Sequence, residues 1–165
     1  MSLQLLLPDE RLSSIHDLDF KALAKRGIEG IIFDLDNTLG AWGFTRMEEK
    51  TLDYLQGVKR QGFRLGFLSN DHGEGREAVQ QSLADHPMIF NARKPTRSGY
   101  REILENFKLQ PHQTAMVGDQ IFTDIFGAKR LGIYTIMVDP VDPKIEDRAV
   151  RFRRLLERQI LRFKR

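Results

Sequence analysis

The chain has 165 residues, is 41% hydrophobic and carries a formal net charge of +3. That size matches one domain whose core needs no covalent staples. The absence of cysteine excludes thiolate nucleophiles, thiolate zinc sites and disulfides, and suits a reducing cytoplasm. The Leu-rich start has neither a basic leader nor a long apolar run, so no signal peptide or membrane span is expected there. Charge is distributed unevenly: residues 151–165 hold seven Lys/Arg against Glu157, which leaves the preceding 150 residues at −3. Attraction to lipid or nucleic acid is therefore to be sought in the tail rather than over the body.

No internal repeat, low-complexity stretch or Gly/Ser linker divides the chain. Short apolar runs predict strands at Gly30–Asp34, Arg64–Ser69, Met88–Phe90, Thr114–Gly118 and Ile133–Val138. Several are nonpolar on both faces, as in a parallel sheet covered on both sides. Helical spacing falls between them at Glu48–Arg60, Gly75–Ala84, Ser98–Phe107 and Phe122–Leu131, the last followed by Gly132 as a stop. This alternation predicts an α/β fold: a three-layer, doubly wound, Rossmann-like sheet of five mostly parallel strands with helices on both faces. In such sheets the site lies beyond the carboxyl ends of the strands.

Polar groups gather at those ends. The first strand runs directly into Asp34-Leu35-Asp36-Asn37-Thr38. Residues two apart in extended chain share a face, and two adjacent carboxylates need a shared proton or a cation between them. Taken alone, the pair reads equally well as a solvated acidic turn. Ser69-Asn70 follows the second strand, offering a hydroxyl for phosphate oxygens or merely a turn. Lys94 follows the third, with Pro95 restricting its backbone, although a lone lysine is commonly a solvated surface group. The fourth strand ends Val117-Gly118-Asp119-Gln120, with Thr123-Asp124 one turn later. Asp119 by itself reads as a helix N-cap.

In this order on successive strand ends, Asp34-x-Asp36-x-Thr38, Ser69, Lys94 and Gly118-Asp119 with Asp124 resemble the haloacid dehalogenase-like phosphatase superfamily over residues 30 to about 138. The stretch Gly118 to Asp124, followed by Gly127, Arg130, Gly132 and Thr135, is also similar to a small bacterial branch related to mitochondrial phosphatidylglycerophosphate phosphatases. The opening Leu5-Leu6-Leu7-Pro8 fits that branch. The resemblance implies that Asp34 is the nucleophile, forming an aspartyl-phosphate, and that Asp36 is the general acid and base. It implies Mg²⁺ held by Asp34, the Asp36 backbone carbonyl and Asp119, with Asp124 binding the ion, an ion-bound water or Lys94. Thr38, Ser69, Asn70 and Lys94 would bind the phosphoryl group.

Both positions where this superfamily inserts a cap are short, with about thirty residues between Thr38 and Ser69 and fewer between Ser69 and Lys94. No large cap is expected, and the open site suits a substrate whose bulk stays outside. In the tail, Phe152, Leu155, Leu156, Ile160 and Phe163 lie at helical spacing among arginines, predicting a basic amphipathic helix over 149–165. This helix either rests on an anionic membrane or packs on the domain. The first reading favours an anionic phospholipid substrate and peripheral contact at the inner face of the membrane. A soluble or macromolecular phosphoester is the alternative. Nucleic acid is disfavoured, because the basic helix lacks interleaved aromatic residues and the body is acidic. His16, His72, His86 and His112 show no ligand spacing, and Trp42 is assigned no role.

Overall fold

The computed structural model describes residues 3–143; the expected tail helix over 149–165 lies outside them. Six parallel strands form one sheet, with strands β1 (Glu10–Leu12), β2 (Gly30–Phe33), β3 (Arg64–Leu68), β4 (Met88–Ile89), β5 (Thr114–Gly118) and β6 (Tyr134–Val138) in the order β1-β6-β5-β2-β3-β4. The five expected strands are present, each trimmed by no more than a residue at an end. The addition is β1, three residues long and paired only with β6. An edge strand covered on one side needs no apolar run, so Glu10-Arg11-Leu12 carries no pattern that marks it out.

The helices are α1 (Phe20–Lys25), α2 (Glu49–Arg60), α3 (Glu77–Ser82), α4 (Ser98–Phe107) and α5 (Phe126–Lys129). On α2, Thr51, Leu55 and Val58 form the buried stripe. On α4, Tyr100, Ile103, Leu104 and Phe107 do the same. The two faces of the sheet are read directly from alternation along the strands. Ile31, Phe33, Leu65 and Phe67 join Leu23, Leu55, Val58 and Val79 from α1–α3. Ile32, Leu68 and Met116 join the α4 residues and Ala128 of α5. The sheet thus has helices on both faces, and the short connections leave no room for a large cap.

The expected helix at Phe122–Leu131 is two pieces: a wide π-turn over Ile121–Ile125, then α5. The expected helix at Gly75–Ala84 is shortened to α3, because Gly75 has φ +71° and Arg76 serves as the N-cap. From β2 the chain winds outward to β3 and β4, then returns to place β5 on the other side of β2. The crevice of such a reversal opens at the carboxyl ends of β2 and β5. Phe33 lies level with both Val117 and Phe67, so the segments following the three central strands emerge together. Among the described residues no helix is long and apolar enough to cross a membrane.

Asp9 fastens the N-terminal edge. Its Oδ2 accepts from the Thr135 amide at 2.9 Å and hydroxyl at 2.7 Å, and its Oδ1 pairs with Lys129 at 2.7 Å. Partial burial raises its pKa, but these donors outweigh burial and hold it below the ordinary 3.8. A depressed folded-state pKa gives stability that is complete above the unfolded value and is lost as pH falls through the folded one. Asp9→Asn is therefore expected to cost about 1 kcal/mol near neutral pH, discounted for the solvent exposure of the pair. The difference between wild type and variant should shrink below about pH 4 in denaturant melts.

Candidate active site

The site is assembled from the loops after four strands. Asp34 follows β2 directly, its amide donating to the Val117 carbonyl at 2.9 Å. Ser69 follows β3, with its amide on the Ile89 carbonyl and its Oγ accepting from the Asp71 amide at 3.1 Å. Asp119 follows β5, and Lys94 arrives from the loop after β4. Asp34, Asp36, Thr38, Ser69, Lys94, Asp119 and Asp124 are all buried. Asp34, Asp36, Trp42, Ser69, Asn70 and Lys94 line a cleft of about 150 Å³, together with Asp71, Gln120 and Thr123.

Lys94 is central to the charge balance. Its Nζ donates to Asp34 Oδ1 and, at 2.7 Å, to Asp124 Oδ1. Burial works against the ammonium, but Asp124 and Asp34 outweigh it and hold the lysine charged, above its ordinary pKa. Burial pushes Asp34 well above the carboxylate range; Lys94 opposes this, while Asp124 and Asp119 reinforce it. Three carboxylates against one ammonium leave the cluster rich in negative charge, a condition that a cation relieves.

Asp34, Asp119 and Asp124 offer carboxylate oxygens that all lie within 4.8 Å of one another. This hard-oxygen donor set suits a divalent cation such as Mg²⁺ or Ca²⁺ rather than a soft metal. Asp124 is already engaged on both oxygens, with Lys94 on Oδ1 and the Gln120 amide on Oδ2 at 3.1 Å. The side chain of Asp36 lies outside the three-carboxylate group.

Local backbone features place these groups. A Cβ at Gly118 would meet the Cβ, Cγ and Oδ2 of Asp124 at 2.6 Å. Glycine is needed there for close approach, its φ not being positive. The hydroxyl of Tyr100 donates to the carbonyls of Thr123 at 2.9 Å and Asp124 at 3.3 Å, pinning the π-turn from the neighbouring helix. The loop bearing Lys94 is strained, with Asn91 at φ +48° and Arg93 at φ +53°. Asn70 restrains it by accepting from the Lys94 amide at 2.6 Å and donating to the Lys94 carbonyl at 3.0 Å. Arg130 donates to the Pro95 carbonyl from the other side. The side-chain amide of Asn70, expected on the substrate, is thus engaged with the loop backbone.

Thr38 Oγ1 lies 3.4 Å from Asp34 Oδ2. Asn37, at φ +61°, accepts from the Val141 amide on its carbonyl and from the Asp142 amide on Oδ1, both at 3.0 Å, which ties the segment after β6 to this turn. Trp42, left without a role, lines the cleft. His72 is exposed and absent from the lining, His16 packs edge-on against Tyr54, and His86 packs edge-on against Phe67. Sequence reasoning missed Asp71, Arg76, Tyr100, Gln120 and Thr123. Of these, Arg76 falls at helical spacing with Val79 and Leu83, and Tyr100 with Ile103, Leu104 and Phe107, all buried, while Gln120 and Thr123 lie within the stretch Gly118 to Asp124.

The chain is similar to known proteins. The family described as mitochondrial PGP phosphatase matches residues 1–142. Probable phosphatase YqeG of Bacillus subtilis is 33% identical over 155 residues, covering 94% of this chain and 89% of that protein. The chloroplastic phosphatidylglycerophosphate phosphatase 1 of Chlamydomonas reinhardtii is 32% identical over 161 residues, 93% of this chain but 60% of its own length. In fold, the chain is similar to an uncharacterized protein of Listeria monocytogenes, with TM-score 0.55 and 20% identity over 72% of this chain and 85% of that one. It is likewise similar to a haloacid dehalogenase-like hydrolase of Streptococcus pneumoniae, with TM-score 0.52 and 16% identity over 67% and 84%. Its fold is that of a haloacid dehalogenase-like hydrolase, and the chain belongs to the mitochondrial PGP phosphatase family and is a phosphatase.

Proposed function

We propose that the protein is a Mg²⁺-dependent phosphomonoester hydrolase that works through an aspartyl-phosphate on Asp34, with phosphatidylglycerophosphate as its substrate. The observation that carries this reading is the convergence of Asp34, Lys94, Asp119 and Asp124 at the carboxyl ends of the central strands, against a cleft.

Asp34 attacks phosphorus in line, and water later releases the phosphate, dividing one displacement into two. Asp36 gives a proton to the leaving alkoxide in the first step and takes one from water in the second. Lys94 has two tasks: it neutralises the carboxylates that would repel a dianionic ester, and it stabilises charge on the transferring oxygens. Ser69 accepts from the Asp71 amide, so its own proton is directed outward to a phosphoryl oxygen. Thr38 steadies Asp34 through its hydroxyl. Asn70, in the cleft wall, supports Lys94 through the backbone. A Mg²⁺ ion held by Asp34, Asp119 and the Asp36 carbonyl would supply Lewis-acid polarisation and charge neutralisation at the phosphoryl group. Asp124 orients Lys94 beside it.

The lipid assignment is supported by the named activity of the algal relative, by the lack of room for a large cap, and by the basic, periodically apolar sequence of 149–165. Liposomes containing anionic phospholipid should float the full chain and lose it when 149–165 are removed; equal flotation would remove the tail from the account.

Asp34→Asn should reduce turnover below about one part in 10⁴ of wild type while melting within a few degrees of it, because the amide is isosteric but cannot attack. The assay is Mg²⁺-dependent phosphate release from phosphatidylglycerophosphate beside soluble esters. Turnover confined to the soluble esters would discard the lipid, and undiminished turnover by the variant would discard the nucleophile. Gly118→Ala should lower kcat on the order of a hundredfold by displacing Asp124 and with it Lys94. A crystal structure of that variant should show the displaced carboxylate.

A further inference from the structure

Arg76 takes no part in the steps above, yet it is the most completely enclosed arginine near the cleft, with a side chain only 2% exposed. Its Nη2 donates to Asp36 Oδ1 at 2.7 Å and reaches Asp71 Oδ2 at 3.3 Å. Its guanidinium carbon stands 5.0 Å from the centre of the Phe44 ring, on the loop that follows Asp36. The same Asp36 oxygen also accepts from the Gly43 amide at 2.7 Å. Oδ1 is therefore held by two donors, one of them charged, whereas Oδ2 accepts no hydrogen bond from the described residues. Asp36 lines the cleft and Arg76 does not, so any influence of the guanidinium on substrate must pass through the carboxylate.

From this arrangement we infer that Arg76 is a positioning residue: it fixes the Asp36 carboxyl with Oδ1 committed to the protein and Oδ2 reserved for exchanging a proton with the leaving alcohol and the attacking water. The inference rests on reading Asp36 as the acid and base. A charge-assisted hydrogen bond is stronger and more directional than a neutral one, and the planar guanidinium, stacked beside Phe44, brings the single nitrogen Nη2 to both Asp36 and Asp71. Phe44 and Gly43 close the same loop over the pair, so the bond also ties the loop after β2 to the start of α3. If that tie were its sole contribution, removing Arg76 would disturb every substrate alike.

The test exploits the leaving group. An aryl ester such as p-nitrophenyl phosphate departs with little need of an acid, whereas an alkyl ester such as glycerol 3-phosphate requires one. The full chain and its Arg76→Lys and Arg76→Ala variants are assayed on both esters by kcat/KM, which covers the steps through departure of the alcohol. The ratio of aryl to alkyl kcat/KM should rise at least about tenfold in Arg76→Lys, in the same direction as in Asp36→Asn. An equal fall on both esters, or an unchanged ratio, overturns the inference. Arg76→Ala is read the same way if it retains a cooperative thermal transition; if it does not, Arg76→Lys decides. A wild type inert on these esters and on phosphatidylglycerophosphate alike, or an active Asp34→Asn, would instead bring down the underlying mechanism, so the two failures are distinct.

Discussion

A buried ammonium between two buried carboxylates is the constraint on which the site depends. Lys94 stands between Asp34 and Asp124, and without it three acidic groups would share one enclosed space. Neutralising one of a buried set is costly when its partners remain, so the lysine has to be delivered to a narrow location. Much of the surrounding structure serves that delivery. Asn70 fixes the backbone of Lys94, Arg130 holds the next residue, Tyr100 pins the turn carrying Asp124, and the bare Cα of Gly118 lets that turn close against the strand end. These contacts come from β3, α4, α5 and β5, so the site is a product of the whole sheet rather than of one loop.

The fold supplies this because its central strands end at one level. Phe33, Phe67 and Val117 pair across β2, β3 and β5, and the residues after them enter a crevice that the strand order opens. The four strand ends contribute three chemical types: carboxylates from two of them, a hydroxyl from the third and an ammonium from the fourth. The reversal of winding at β2 keeps helices on both faces clear of that edge, which leaves the cleft accessible at the top of the sheet.

What could be read from the sequence follows from the range of the forces involved. The strand ends that carry Asp34, Asp36 and Asp119 were legible because a both-faces apolar run makes them visible, whereas reading those residues as a site rested on the resemblance of the ordered set, since each alone reads equally as a turn or a cap. Lys94 was legible through Pro95 and its place in the order. The edge strand Glu10–Leu12 was not, because pairing with β6 needs backbone groups and no apolar signature. The π-turn at Ile121–Ile125 was read as ordinary helix, since its periodicity differs by a single residue that close packing on Gly118 and Tyr100 determines. Arg76 falls inside the expected helix Gly75–Ala84, where an arginine reads as part of a solvated face. Its burial depends on Asp36, Phe44 and Asp71, groups that only the tertiary fold brings near. The tail is the remaining case, its pattern being visible in sequence but lying beyond the described residues.

The two bonds between Asn37 and the Val141–Asp142 segment have a geometric result of their own. They clasp the segment Val141–Asp142 to the turn that contains Asp36, so the end of β6 is held at the same edge of the sheet as the loop that carries the two aspartates. Movement of either segment is thereby coupled to the other, because a contact closed within one chain is governed by tether length rather than by diffusion from bulk.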